Sequence, residues 1–316
     1  MAAQRISFVL FFPDGACGLI RSADGRLDLP TGSVGPDEDE LDALLRIPLM
    51  TAGFRAQRFH PFRWSGSDLY AWVEGDRYDG RRPHRKVPLH VTSAEEATRC
   101  LRDQGRRHQA SVVAAAARSY RGQTDAAFYA DNVRVLEQAY VRAATVEGGS
   151  GFGGSAEDWR VAREPVLDGI DRDGTFLDIG CANGLLMESA QAWCAERGVA
   201  VEPYGVDLAP GLVELARARL PHWADRLWAG NALEWAHPRG MRFDFVHALF
   251  DSVPPHRYAD LVRHLLAQVV APDGRLLLSH YVPDGTRHRS AAEMVARIGQ
   301  PIVGRSPPYT VWVGRP

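Results

Sequence analysis

The chain has 316 residues, 45% of them apolar and 24% charged, which is enough for two domains with separate cores. Its formal net charge of -2 excludes a general attraction to nucleic acid or membrane. The absence of any apolar run as long as a membrane span leads us to expect no anchor, no export and a cytoplasmic location.

Four cysteines are scattered along the chain without a C-x-x-C pattern. None has a histidine at metal-ligand spacing, so we expect reduced thiols and no metal site. The four are Cys17, Cys100, Cys181 and Cys194.

The first third of the chain alternates short apolar stretches with turns rich in glycine, proline and aspartate. Four stretches are predicted as strands, at residues 6–12, 18–21, 54–64 and 68–74, and a turn at 24–25 precedes the stretch 27–32. With a helix, they predict a small α+β domain over residues 1–104.

A glycine, an acid and an arginine in this region have the spacing of a known motif. Gly32, Glu38, Arg46, Gly53 and Phe54 fit the pattern G-x5-E-x7-R-E-U-x-E-E-x-G-U. On these residues the domain resembles the Nudix family, which implies a Nudix-like fold for residues 1–104.

The metal-binding part of that motif is missing. Ile47 stands where the acid after the arginine belongs, and Met50 and Thr51 replace two glutamates that would hold a divalent cation. Pro48 also disturbs the helix that would present those ligands. We therefore expect a catalytically degenerate domain, with either a structural or dimerising role or a part in substrate recognition. The basic run at 81–86 is expected to be a solvated loop rather than a phosphate contact.

Helices are predicted between this domain and the second half of the chain. Ser93 begins a capping box for a helix that reaches about Asp103. Apolar spacing predicts a second helix around 112–120 and a third over 125–144. We expect residues 105–147 to form a helical connector.

A glycine-rich run follows at 147–155. Its composition is typical of a flexible linker. It also precedes a helix with Trp159 and Arg163, so it is interpreted as a lid over a ligand, with these two residues as further cofactor contacts.

The second half of the chain depends on the stretch 175–184, in which a buried strand runs into a glycine turn and a helix. Gly180 and Gly184 allow the backbone to approach a ligand closely. A dinucleotide site would carry a glycine at Ala182 and no acid at Asp178, which is poorly placed beside phosphates. An acid there suits an ammonium group, so the stretch favours a cofactor with an amino-acid end, such as S-adenosylmethionine.

Strands and helices alternate after this turn. The spacing predicts a parallel sheet covered by helices on both faces. Strands are predicted at 204–207, 243–248 and 275–281, helices at 210–220 and 257–270, and a polar turn at 230–232.

On the motif F-L-D-I-G-C-A-N-G and the later G-V-D, residues from about 150 to 316 resemble class I S-adenosylmethionine-dependent methyltransferases. The resemblance implies a Rossmann-like domain over residues 148–316 with a seven-stranded, mostly parallel sheet. It also implies that S-adenosylmethionine is the cofactor. By position, the cofactor-binding residues are Asp178, Gly180, Ala182, Asn183 and Gly184 at the methionine end, Asp207 and Leu208 at the ribose, and Asn231 and Ala232 at the adenine.

A methyl transfer from a sulfonium needs an aligned nucleophile and, for an amine, a group that takes or orients its proton. Candidates follow the fourth and fifth strands, where the cleft is expected to open. Asp251 is the first choice, as a buried acid with few structural duties. The other candidates are His247, His256, His280 and Tyr281.

The acceptor is expected to be a small molecule. The D/N-P-P-Y pattern of amide-methylating enzymes is absent, which argues against nucleic-acid bases. The arrangement resembles the aminoglycoside N-methyltransferases of antibiotic biosynthesis, that of the gentamicin pathway among them. This implies a polycationic amino-sugar acceptor bound by Asp251 and some of the acids at 37–40.

Three alternatives stay open. The acceptor is the hydroxyl of another natural product, or the chain is a Nudix-type nucleotide hydrolase or binding protein, or it is a regulatory or RNA-directed protein. The sequence leaves the oligomeric state undecided.

Overall fold

The computed structural model describes residues 5–22, 24–36, 38, 40–65, 68–77, 88–281 and 289–314. The chain divides into two compact units, which are described separately below. Unit 1 comprises residues 1–127 with 283–288, and unit 2 comprises residues 128–282 with 289–316. The basic run at 81–86 and the acids Asp37 and Asp39 lie outside the described residues.

Unit 1 is built on one mixed sheet with helices. Its central path runs in the order β3-β2-β1-β6-β5, while β4 pairs with β1 and β7 pairs with β2. The elements are β1 (Arg5–Phe11), β2 (Cys17–Arg21), β3 (Leu27–Asp28), β4 (Thr31–Ser33), α1 (Glu40–Ala52), β5 (Phe54–Ser65), β6 (Asp68–Arg77), β7 (Leu89–Thr92), α2 (Ala94–Asp103) and α3 (Arg107–Arg121).

The core of unit 1 is organised by the alternation of side chains along its strands. Val9 and Trp72 are fully buried in a cluster that includes apolar residues of α2 and α3. Because Val112 and Val113 of α3 belong to this cluster, the first predicted connector helix is part of the unit 1 core. Ser93 accepts a hydrogen bond from the Glu96 N–H at 3.1 Å, as the capping signal predicts.

The segment that resembles a Nudix motif forms a loop followed by α1. Glu38 and Arg46 form an ion pair, with Arg46 Nε 2.5 Å from Glu38 Oε1, so the first acid of the motif is joined to its arginine. Ile47 is fully buried, whereas Met50 is 59% exposed. The Nudix resemblance itself remains a prediction.

A polar cluster lies beside α3 in the same unit. Arg58 donates to Glu74 at 3.2 Å and its guanidinium lies over the rings of Trp72 and Tyr120. Tyr120 also donates to Glu74. Since Glu74 is almost fully buried, these donors offset the cost of removing its charge from water.

Restoring the missing acid of the motif tests whether the core of unit 1 excludes it. We expect Ile47→Glu to lower the free energy of unfolding by about 3–5 kcal/mol, because an unpaired carboxylate would be buried. Met50→Glu changes the same motif at an exposed position and should stay within about 0.5 kcal/mol of the parent. Urea unfolding followed by circular dichroism measures both, and equal stability of the two variants would contradict the burial of Ile47.

Unit 2 contains a seven-stranded sheet with strand order β10-β9-β8-β11-β12-β14-β13. Strands β10, β9, β8, β11 and β12 run parallel, β14 is antiparallel to β12, and β13 is antiparallel to β14. This confirms the expected Rossmann-like, mostly parallel sheet. The elements are α4 (Asp125–Asn132, which begins in unit 1), α5 (Gln138–Val141), α6 (Ala156–Arg163), β8 (Gly174–Ile179), α7 (Leu185–Glu196), β9 (Val201–Asp207), α8 (Pro210–Arg219), β10 (Leu227–Ala229), β11 (Phe243–Leu249), α9 (Tyr258–His264), β12 (Val270–Ser279), α10 (Ala291–Ile298), β13 (Gly304–Ser306) and β14 (Thr310–Val313).

Most predicted elements of unit 2 are present, with local differences. The helix predicted over 125–144 is continuous to Val141 through a π-helical turn at Val133–Glu137. Residues 272–274, which precede the predicted strand 275–281, lie inside β12, at an irregularity in its pairing with β11. In the described ranges, the helices are all too short or too polar to cross a membrane.

Candidate functional site

The turn between β8 and α7 has the backbone geometry that its glycines predict. Gly180 and Gly184 have φ of 84° and 76°, in the left-handed region that favours glycine. Ala182 also has a positive φ, 47°, which costs an alanine about 1–2 kcal/mol. The Gly180 N–H donates to the Val206 carbonyl at 2.7 Å, which joins the turn to β9.

Asp207, at the end of β9, binds two backbone amides. Its Oδ2 accepts from the Ala182 N–H at 2.9 Å and its Oδ1 accepts from the Ala209 N–H at 2.9 Å. Burial raises the pKa of Asp207 to about 6; the two amides oppose this rise, and the charges of Asp178 and Glu137 add to it. One carboxylate thus connects the glycine turn to the start of α8.

Asn183 is committed to structural hydrogen bonds. Its Nδ2 donates to the Val146 carbonyl at 2.7 Å, and its Oδ1 accepts from the Leu185 N–H at 3.1 Å. The first bond ties the glycine turn to the segment before Gly148, and the second satisfies an amide at the start of α7. The predicted role of Asn183 as a cofactor contact stays a prediction.

The glycine-rich run is ordered rather than extended as a flexible linker. Gly148–Ser150 form a 3-10 turn, and Gly149 lies so close to Asn183 that a Cβ would come within 2.7 Å of its Nδ2. The run therefore packs on the glycine turn. Tyr140 packs beside the small cluster formed by Ala182, Ala209 and Leu212, so α5 also lies at this end of the sheet.

Asp178 and His247 face each other inside the sheet. His247 Nδ1 lies 2.8 Å from Asp178 Oδ1, and both side chains are buried. The two residues are aligned in the register of β8 with β11. His247 therefore lies within a strand and contacts Asp178 rather than lying at the cleft mouth, where the sequence placed it as a catalytic candidate.

The hydrogen bonds continue from His247 to two hydroxyl groups. His247 Nε2 lies 3.1 Å from Ser279 Oγ, and Ser279 Oγ lies 2.8 Å from Thr310 Oγ1. All of these side chains are buried. The four residues form a row across β8, β11, β12 and β14, which are neighbours in the sheet. Both ring nitrogens of His247 are engaged, which leaves neither for an acceptor proton.

Arg163, at the end of α6, lies among aromatic rings. Its guanidinium carbon is 3.4 Å from the ring centroid of Tyr281, 5.0 Å from that of Trp159 and 5.3 Å from that of Phe152. Burial lowers the pKa of Arg163, while the charges of Asp251 and Asp178 act to raise it. The described residues provide no hydrogen-bond acceptor for this guanidinium.

Trp159 and Tyr281 support Arg163 in different ways. Trp159 is buried, and its Nε1–H donates to Ser189 at 3.0 Å, so its indole packs α6 on α7. The Tyr281 hydroxyl is buried beside the hydroxyl groups of Ser279 and Thr310. Burial raises the pKa of Tyr281, and the charge of Arg163 opposes this rise.

The remaining acceptor-side candidates differ in exposure. Asp251 lies in a 3-10 turn directly after β11 and is exposed, which corrects the expectation of a buried acid there. His280 is buried, and its Nδ1–H donates to the Arg289 carbonyl at 2.8 Å. His256 is exposed in a second short turn.

The predicted adenine and ribose contacts lie beside the end of β9. The Gly230 N–H donates to the Asp207 carbonyl at 2.8 Å. Asn231 Oδ1 accepts from the Leu233 N–H at 3.0 Å, while Ala232 is buried and Leu208 partly exposed. These positions adjoin the glycine turn through Asp207, and their contact with a cofactor stays a prediction.

Sequence reasoning missed Ser279, Thr310 and Glu137. Glu137 accepts from the Gly211 N–H at 3.1 Å in the first turn of α8. The only signal for Ser279 was a polar residue inside an otherwise apolar strand. Thr310 and Glu137 carry no local signal, because their partners are distant in sequence.

No protein-family model matches the chain. It is 31% identical over 140 residues to trans-aconitate 2-methyltransferase of Methylobacterium radiotolerans, a match that covers 44% of this chain and 47% of the relative. The chain therefore spans about half the length of the curated relative it matches.

Solved structures with similarity to this chain include CalS10, an amino pentose methyltransferase of calicheamicin biosynthesis from Micromonospora echinaspora, with bound S-adenosylmethionine. It is 26% identical, with a TM-score of 0.32 and coverage of 44% of this chain and 56% of that chain. A phosphoethanolamine N-methyltransferase of Haemonchus contortus is 12% identical, with a TM-score of 0.40. The match covers 61% of this chain and 50% of that chain. With such TM-scores, neither structure carries an argument about function. The name of the curated relative states a methyltransferase activity, which is the predicted enzyme class.

Two substitutions test the strain in the glycine turn. We expect Ala182→Gly to raise the free energy of unfolding by about 0.5–1 kcal/mol, because glycine adopts a positive φ without steric cost. Gly184→Ala should lower it by about 2 kcal/mol or more, since a Cβ there would lie 2.7 Å from Leu220 Cδ1. Chemical denaturation of unit 2 measures both. A destabilised Ala182→Gly variant would show that the turn is not strained at this residue.

Proposed function

We propose that unit 2 transfers a methyl group from S-adenosylmethionine to an amine of a small-molecule acceptor. The observation that carries this proposal is the glycine turn at 180–184, bound through the Ala182 amide to Asp207 on the next strand. Open parallel sheets bind ligands outside the carboxyl ends of their strands, which is where this turn lies. The proposed catalytic region is residues 148–316, together with the helical residues 128–141 that belong to the same unit.

The methionine end of the cofactor is a zwitterion, and the site offers a complementary pair of charges. Asp178 would accept from the ammonium group at the end of β8. Arg163 would donate to the carboxylate, because its planar guanidinium has several donors and lies on aromatic rings without an acceptor in the described chain. The influence of Asp178 on the pKa of Arg163 supports their proximity.

Asp207 is suited to the ribose. Each of its oxygens accepts one backbone N–H, and each has a further lone pair for a ribose hydroxyl. Asn231 and Ala232 follow the neighbouring strand β10 and are proposed to border the adenine.

The reaction itself needs alignment and exclusion of water rather than a covalent intermediate. The sulfonium supplies the electrophilic methyl group when the cofactor is bound. Asp251 would orient the acceptor amine and take up its proton. The exposure of Asp251 is compatible with this role, because an acceptor must reach it from solvent.

Amine acceptors, amino sugars among them, fit this site because Asp251 is an acid. Transfer to a hydroxyl or a carboxylate is the second candidate; it is favoured by the curated relative, whose name states that it methylates trans-aconitate. Nucleotide hydrolysis in unit 1 is a weaker candidate, because the acid of the motif is replaced by the fully buried Ile47.

Arg163→Met tests the proposed carboxylate contact. We expect the affinity for S-adenosylhomocysteine to fall about tenfold to a hundredfold, the size of a lost hydrogen bond to a charged group. The affinity for decarboxylated S-adenosylmethionine, which lacks the carboxylate, should change less than about threefold. Isothermal titration calorimetry measures both ligands.

Arg160 provides the matched control. It lies one turn earlier on α6 and is paired at the surface with Glu164 and Glu196, so Arg160→Met should leave both affinities unchanged. Equal losses for the two ligands in Arg163→Met would remove the carboxylate assignment. Failure of the parent protein to bind any of these ligands would remove the proposed cofactor.

Asp251→Asn tests the acceptor side. Turnover of amine acceptors from a panel of amino sugars, phenols and carboxylic acids should fall about 100-fold to 10,000-fold in kcat/KM. Cofactor affinity should stay within about twofold, because Asp251 is assigned to the acceptor. Methyl transfer from labelled cofactor gives the rates.

Asp260 serves as the comparison, since it is an acid on α9 whose ion pairs with Arg257 and Arg263 lie at the surface. Asp260→Asn should keep the parent rates. The amine assignment is wrong if Asp251→Asn keeps the parent rates with every amine but loses turnover of a phenol or a carboxylic acid.

A further inference from the structure

Asp178, His247, Ser279 and Thr310 form a buried row with more polar groups than the fold requires. Strands of a parallel sheet that is covered on both faces are usually apolar throughout. Replacing a buried polar network by apolar side chains of similar volume is often neutral or stabilising. A row of four polar side chains at this depth therefore suggests a duty beyond packing.

The chemistry of the four groups fixes the direction of each hydrogen bond. An ionised Asp178 only accepts, so His247 must donate from Nδ1–H. The Nε2 of a neutral His247 then accepts from the Ser279 hydroxyl. The Ser279 hydroxyl has one proton, which it donates to His247, so the Thr310 hydroxyl must donate to Ser279. The chain of donors ends on the carboxylate of Asp178.

We propose that His247, Ser279 and Thr310 are positioning residues that hold Asp178 in the orientation in which its carboxylate binds the ammonium group of S-adenosylmethionine. This inference rests on the proposed function of unit 2. His247 Nδ1–H fixes one oxygen of Asp178, and the fixed imidazole tautomer keeps a donor directed at it. The second oxygen is then the one that the cofactor meets.

The same geometry explains why His247 is a histidine. Its ring joins β8 to β12 across β11, because one nitrogen meets Asp178 and the other meets Ser279. Asparagine can place an amide donor only where Nδ1 lies, and glutamine only near Nε2. These two substitutions therefore separate the contact with Asp178 from the contact with Ser279.

The test compares two ligands in three variants. S-adenosylhomocysteine carries the ammonium group, and 5′-methylthioadenosine lacks the whole amino-acid end. We expect His247→Gln to weaken S-adenosylhomocysteine about tenfold to a hundredfold and 5′-methylthioadenosine less than about twofold. His247→Asn should rescue the first affinity to within about threefold of the parent. Ser279→Ala should weaken S-adenosylhomocysteine about threefold to tenfold, because the imidazole tautomer is no longer fixed.

His264 supplies the matched control. It is a partly buried histidine on α9 whose Nε2 bonds to the Trp235 carbonyl at 2.9 Å, away from Asp178. His264→Gln should leave both affinities unchanged. Thermal unfolding shows whether each variant is folded at the titration temperature, and if His247→Gln is not, Ser279→Ala decides.

A parallel loss of both ligands, or equal affinities for His247→Asn and His247→Gln, would overturn the inference and leave the row a structural feature. This outcome differs from failure of the proposed function. In that case the parent protein itself would bind neither S-adenosylhomocysteine nor 5′-methylthioadenosine.

Discussion

The carboxylate of Asp207 is the group on which the rest of the site depends. It accepts from Ala182 in the glycine turn and from Ala209 before α8, so it sets the distance between two helix starts. Its burial is unfavourable for the charged form and raises its pKa to about 6. Two charge-assisted hydrogen bonds offset part of this cost. These hydrogen bonds hold the turn in one conformation, which lowers the entropy that ordering it would cost on binding.

A second buried carboxylate, that of Asp178, is stabilised inside the unit 2 sheet by a side chain rather than by backbone amides. Asp178 is the penultimate residue of β8, and its buried carboxylate lies 2.8 Å from His247 Nδ1. Ser279 and Thr310 complete the set of donors, so each polar group of the row has a partner. A half-satisfied network would be worse than an apolar core. Substitution of any member of the row is therefore expected to disturb the network, including Thr310 at the opposite end of the row from Asp178.

Patterns in the sequence predicted those features of unit 2 that depend on residues close together along the chain. The glycine turn, the acids Asp178 and Asp207 and the central strands follow from residue type and spacing, and the structure contains them. The partner of His247 did not follow, because it depends on strand pairing between positions 69 residues apart. Thr310 lies on an antiparallel strand that carries no strong signal of its own. The exposure of Asp251 was not predicted either. It depends on how the short turn at 250–252 ends β11.

The balance of charges in unit 2 favours a cationic partner. Asp178 and Asp251 act on the pKa of Arg163, and Asp207 accepts from the glycine turn. Glu137 accepts from Gly211 and acts on the pKa of Asp207. S-adenosylmethionine carries one net positive charge, and its demethylated product carries none. An excess of carboxylates thus attracts the reactant more than the product. It also leaves negative charge for an amino group of the acceptor, which a carboxylic acid acceptor would meet with repulsion.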